Sequence, residues 1–147
     1  MRIIGYFLLV MSFFVAACGD DDVVFTPDEA IYFVTPDTTS ITRTVNDVIE
    51  VDAYFSLDSV IDSVFVGYQI DTTSAPPLNL SLGDLDEITE RIGFSSPRNQ
   101  HQLQFSLPIP SGGSSNPVVP GDVVRFVFAV QSGNLIVTKT LRVDITL

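Results

Sequence analysis

The chain of 147 residues contains no tryptophan, one cysteine, one histidine and only seven lysines and arginines together. Each scarcity closes off a class of function. With Cys18 alone, no disulfide can form within the chain, so the covalent framework that staples many small secreted domains is excluded. With seven cations against eighteen acids and a net charge of −11, there is no basic footprint for a phosphate backbone and none for peripheral attraction to anionic lipid. No nucleic-acid partner is expected.

With His101 as the only histidine, any acid-base scheme that uses imidazole must use that residue. It stands among Asn99, Gln100 and Gln102 with no nucleophile beside it, and Gly112-Gly113-Ser114-Ser115 lacks the G-x-S-x-G elbow. A triad can assemble from distant positions, but the neighbourhood reads as surface, and no catalytic residue is expected. Asp84, Asp86 and Glu87 have the chemistry of an acid-base pair or of hard oxygen ligands. Helix capping and the helix dipole account for the same residues. Asp20 to Asp22 show no EF-hand spacing, so neither a metal site nor a cofactor is expected.

What is present begins with Met1-Arg2, followed by an uncharged apolar run from Ile3 to Phe14 and then Val15-Ala16-Ala17-Cys18. These are the three regions of a secretory signal. The run is too short to span a bilayer core, which takes roughly 20 apolar residues as helix. Val15-Ala16-Ala17-Cys18 resembles the lipobox of bacterial lipoproteins. The resemblance implies cleavage before Cys18 and a diacylglycerol on its thiol. Each buried methylene contributes about 0.8 kcal/mol and one chain alone holds only marginally, so the two or three acyl chains of a lipoprotein would give a durable anchor.

Three segments follow: a signal peptide at 1–17, a lipidated acidic tether at 18–29 and one domain at 30–147. Loss of the signal removes Arg2 and no acid, leaving the mature chain one unit more negative than the whole. Cys18-Gly19-Asp20-Asp21-Asp22 resembles the acidic export signal of Bacteroidota lipoproteins, which implies an outer-membrane protein facing the cell surface. As a run of like charge, Asp20, Asp21 and Asp22 also read as a solvated spacer.

Within the domain the apolar period is mostly two, the period of a strand. Short strands are expected at 30–35 and 41–45 on one sheet edge, separated by the turn-forming Pro36-Asp37-Thr38-Thr39-Ser40. Val48 to Phe55 alternates with Ile49, Val51, Ala53 and Phe55 inward. Ile61 to Ile70 reads as a strand with a second side that is not wholly polar, and Leu78 to Leu82 as a short one. Asp84-Leu85-Asp86-Glu87 places acids as in a capping box, and Leu85, Ile88 and Ile92 lie at helical spacing before Gly93. A short helix near 85–92, bridging two sheets, is expected. Gln102 to Leu107 alternates again, residues 108–120 form a loop, and Ser132-Gly133-Asn134 joins two β-rich runs as an antiparallel hairpin.

About seven strands without a repeat of fixed period predict an all-β, two-sheet antiparallel sandwich that resembles an immunoglobulin-like domain. The resemblance rests on strand pattern over most of 30–147 and licenses a fold, not a function. If strands 61–70, 121–131 and 135–145 share a sheet, its outer face carries Ile61, Phe65, Val123, Arg125, Val127 and Ala129. An apolar patch with a central arginine has the composition of an interface core. Either a partner protein binds it or another part of the chain covers it. Tyr32, Tyr54 and Tyr68 are the tyrosines available to a glycan within the domain. The expected function is a non-catalytic, membrane-anchored surface lipoprotein acting as a protein-interaction or accessory module of an envelope complex. The alternative is a carbohydrate-binding accessory lipoprotein of a glycan-uptake system.

Overall fold

A computed structural model of the chain describes residues 30–71, 85–113 and 116–147. The expected signal peptide and acidic tether, Asp84 and the strand expected at 78–82 lie outside them. The described residues are all-β. In chain order the strands are β1 (Ile31–Thr35), β2 (Ser40–Thr44), β3 (Val48–Ser56), β4 (Ser63–Asp71), β5 (Glu87–Gly93), β6 (Gln100–Pro108), β7 (Gly112–Gly113), β8 (Asn116–Pro117), β9 (Val123–Ser132) and β10 (Leu135–Thr146).

They form a three-stranded sheet, β1-β3-β6, and a five-stranded sheet, β2-β10-β9-β4-β5, with β7 and β8 as a minimal pair inside the loop expected after β6. Every pairing is antiparallel except that of β2 with β10, which is parallel. The expectation that 61–70, 121–131 and 135–145 share a sheet holds, with β9 between β4 and β10. The β9–β10 hairpin turns at Gly133-Asn134. Gly133 takes φ of 55°, the left-handed conformation a two-residue hairpin needs.

The alternation in β3 falls as read: Ile49, Val51, Ala53 and Phe55 are all buried. They meet Val64 and Val66 of β4, Val124, Phe126, Phe128 and Val130 of β9, and Leu141, Val143 and Ile145 of β10 in one core. Phe128 is its centre. It meets Phe33 edge-on at 5.0 Å and Phe105 at 5.5 Å, so aromatic contacts from three strands tie the sheets together. Each such pair contributes about 0.5–1.5 kcal/mol beyond its buried area.

Two expectations are corrected. The segment 41–45 does not continue the edge begun by β1. After the cis Thr35–Pro36 bond and the turn that follows, β2 passes to the other sheet and lies beside β10. The helix near 85–92 is absent, because Glu87 to Gly93 form β5 on the open edge of β4. An isolated helix this short is marginal in water, whereas β4 offers a ready row of unpaired backbone groups and Ile88, Thr89 and Ile92 are β-branched. The helical spacing of Leu85, Ile88 and Ile92 is incidental: Ile92 packs at the core margin, while Ile88 is 49% exposed.

Candidate functional site

The residues expected on one outer patch divide between two sides of the five-stranded sheet. Ile61 precedes β4 and is buried in the core between the sheets, so it leaves the patch. The alternation of β4 does not extend back to it, since the strand begins at Ser63. Phe65, Arg125, Val127 and Ala129 do share the outer face, on the evidence of cross-strand partners: Phe65 lies opposite Ala129, and Gly67 opposite Val127. All four are buried, Val127 and Ala129 completely, and Val123 is half-buried. The patch is not an open surface.

Part of its closure comes from the chain that leads into β5. A Cβ placed on Gly67 would stand 2.6 Å from the Leu85 Cδ1 atom and 2.6 Å from the Glu87 carbonyl oxygen, so glycine lets this segment press onto the sheet. The Arg91 guanidinium lies 4.9 Å from the centroid of the Phe65 ring. Arg125 meets the Asp71 carboxylate at 3.4 Å with both side chains nearly sealed from solvent, and such a pair is costly to break from one side.

The acids read as caps or ligands hold β4 to β5 instead. Ile70 N donates to the Asp86 carboxylate at 2.6 Å, and the Tyr68 hydroxyl donates to the Glu87 carboxylate at 2.9 Å. Burial first, and then the bond and charge of Glu87, push the Tyr68 hydroxyl above its ordinary pKa. No group of three or more potential metal ligands occurs among the described residues. Nor is any described helix long and apolar enough to cross a membrane.

His101 is not a free surface residue. Its ring stacks on Phe94 with centroids 3.6 Å apart and planes 12° from parallel, and its Nε2 is buried without a hydrogen-bond partner. Burial, and secondarily the charge of Arg98, hold its pKa below the ordinary 6.5. The contact joins the start of β6 to the residue after β5, and so clasps one sheet to the other.

The outer face of the three-stranded sheet collects a group whose assembly the sequence did not reveal. Tyr32 of β1 lies directly opposite Tyr54 of β3, and Tyr54 lies opposite Gln102 of β6. In the next row Asp52 faces Gln104. Gln102 Nε2 donates to both Asp52 carboxylate oxygens at 3.0 Å, and Ser106 Oγ donates to Glu50 at 2.8 Å. Thr35, Glu50, Val51, Asp52 and Gln104 border an open depression of about 270 Å³. The parity of Tyr54 with Glu50 and Asp52 was visible in the sequence, but the cross-strand register that brings Tyr32 alongside was not. Tyr68 belongs elsewhere, meeting Phe126 edge-on at 6.3 Å.

No known protein family, curated protein or solved structure matches the chain.

Proposed function

We propose that this chain is a non-catalytic interaction or accessory module of the outer membrane, anchored through acylated Cys18 and directed to the cell surface by the acidic export signal of Asp20, Asp21 and Asp22. The observation that carries the reading is Val15-Ala16-Ala17-Cys18 at the end of an uncharged apolar run. The domain it carries is an immunoglobulin-like sandwich on this reading. Support comes from the division of the first two strands between the sheets, β1 antiparallel to β3 and β2 parallel to the last strand, β10. Mass spectrometry of the protein extracted from membranes tests the anchor: a mature N-terminus at Cys18 carrying two or three acyl chains is expected. A free Cys18 thiol, or cleavage elsewhere, would remove the basis for the localisation. Protease treatment of intact cells then reports which side of the membrane the domain faces.

One observation favours a more specific second reading, in which the module binds a glycan as the accessory lipoprotein of an uptake system. Tyr32 and Tyr54 stand opposite each other in register, in line with Gln102 and one row from Asp52 and Gln104, and β1, β3 and β6 carry acids and amides but no lysine or arginine. Tyrosine faces suit the C–H surfaces of sugar rings, and amides and carboxylates suit hydroxyls. An array of neutral glycans should give a signal that Tyr54→Ala removes. An array without signal rejects this reading and leaves the anchor untouched.

A further inference from the structure

The two sheets end in four outer strands: β1 and β6 on one, β2 and β5 on the other. Exposed sheet edges are templates for another strand, and proteins blunt them with brevity, charge, proline or a bulge. Three of the four are blunted here. β1 has five residues, a register shift between Phe33 and Thr35, and Pro36 directly after it. β2 has five residues and carries Arg43. β5 carries Glu87, Glu90 and Arg91, with a register shift opposite Val66 and Gly67.

β6 carries one of these devices, Pro108, and only as its last residue. It runs nine residues in unbroken register with β3, its only neighbour among the described strands, and from Gln100 to Leu107 it contains no proline, lysine, arginine or acid. Gln100, Gln102, Gln104 and Ser106 point outward and are exposed. On the inward side Leu103 remains only partly buried beside fully buried Phe105 and Leu107, and no described strand flanks it beyond β6.

We propose that β6 is the surface through which two copies of this chain pair, antiparallel about a two-fold axis at Gln104, so that two three-stranded sheets become one of six strands. A two-fold contact must be self-complementary, and β6 is. A glutamine amide is both donor and acceptor and pairs with its own copy. Gln104 is the midpoint of the strand, so centring there gives the longest overlap, sets Gln102 against Ser106, and closes the open flank of Leu103 with the partner's Phe105. In a chain of net charge −11, β6 also brings no acid of its own against a like charge.

The test uses the full chain in detergent micelles. Gln104→Cys should form an intermolecular disulfide under mild oxidation about tenfold faster than Thr89→Cys on the β5 edge, both in a Cys18→Ser background so that each variant has one thiol, because pairing raises the local thiol concentration. Equal rates at the two edges overturn the proposal. Gln104→Lys sets like charges directly opposite across the axis and should weaken dimerisation in sedimentation equilibrium by about fivefold, with an unchanged melting temperature at concentrations too low for pairing, because the side chain is exposed. A native chain that sediments as a single copy, or a dimer that survives Gln104→Lys, overturns it equally.

Discussion

At the scale of single residues, Gly67 and His101 each do something that their neighbours cannot. The atoms that would meet a Cβ at Gly67 include the backbone oxygen of Glu87, which cannot swing aside as a side chain can. Gly67→Ala should therefore destabilise by about 1–3 kcal/mol, as overpacking does, measured by urea unfolding at constant m. A neutral result would mean that the 85–87 segment is free to lift from the sheet. For His101 the sign follows from its lowered pKa. The folded chain holds this proton less readily than the unfolded chain, so the stacked neutral ring contributes fully above about pH 6.5 and that contribution fades as the pH falls through the lowered folded value. Between about pH 8 and pH 5 the native chain should lose more melting temperature than His101→Gln. Parallel curves for the two proteins would remove His101 from the account.

At the scale of strands and faces, Val127 tests what the outer side of the five-stranded sheet is for. It is 0% exposed, so Val127→Asp buries a carboxylate without a prepared partner. A loss of several kcal/mol is expected, read as a large fall in melting temperature. An unchanged melting temperature would restore the face as an open partner surface. The same scale shows what was legible beforehand. β3, β9 and β10 could be read because their alternation is strict or their turn carries Gly133, and both are local properties of the chain. Glu87 to Gly93 was not legible, since capping acids and helical spacing were real features that a neighbouring open edge outweighed. The side on which Ile61 falls depended on where β4 begins. The row of Tyr32, Tyr54 and Gln102 depended on register between strands far apart in sequence, which no local pattern encodes.

At the scale of the whole molecule, eighteen acids against seven bases make charge a cost to compactness. Screening should relieve it. The melting temperature is expected to rise by a few degrees as sodium chloride is raised from about 0.01 M to about 0.5 M, over which the Debye length shrinks from about 30 Å to a few ångströms. A flat or falling curve would mean that favourable ion pairs such as Arg142 with Asp144 balance the repulsion. Geometry at this scale carries a further consequence. The chain enters β1 at the end of the molecule shared by Ala30, Ser56, Gln100 and Leu135, and leaves β10 at the opposite end, where Thr146 pairs with Thr44. β1 lies along β3 and β2 lies parallel to β10, so tension between Ala30 and Thr146 runs along the strands and loads their hydrogen bonds together in shear instead of opening them one at a time. Loaded between these two ends, the domain would bear the force first on the β2–β10 pairing. Under force spectroscopy, Ile41→Pro in β2 should lower the peak unfolding force more than Thr89→Pro in β5, which stands outside the line of load.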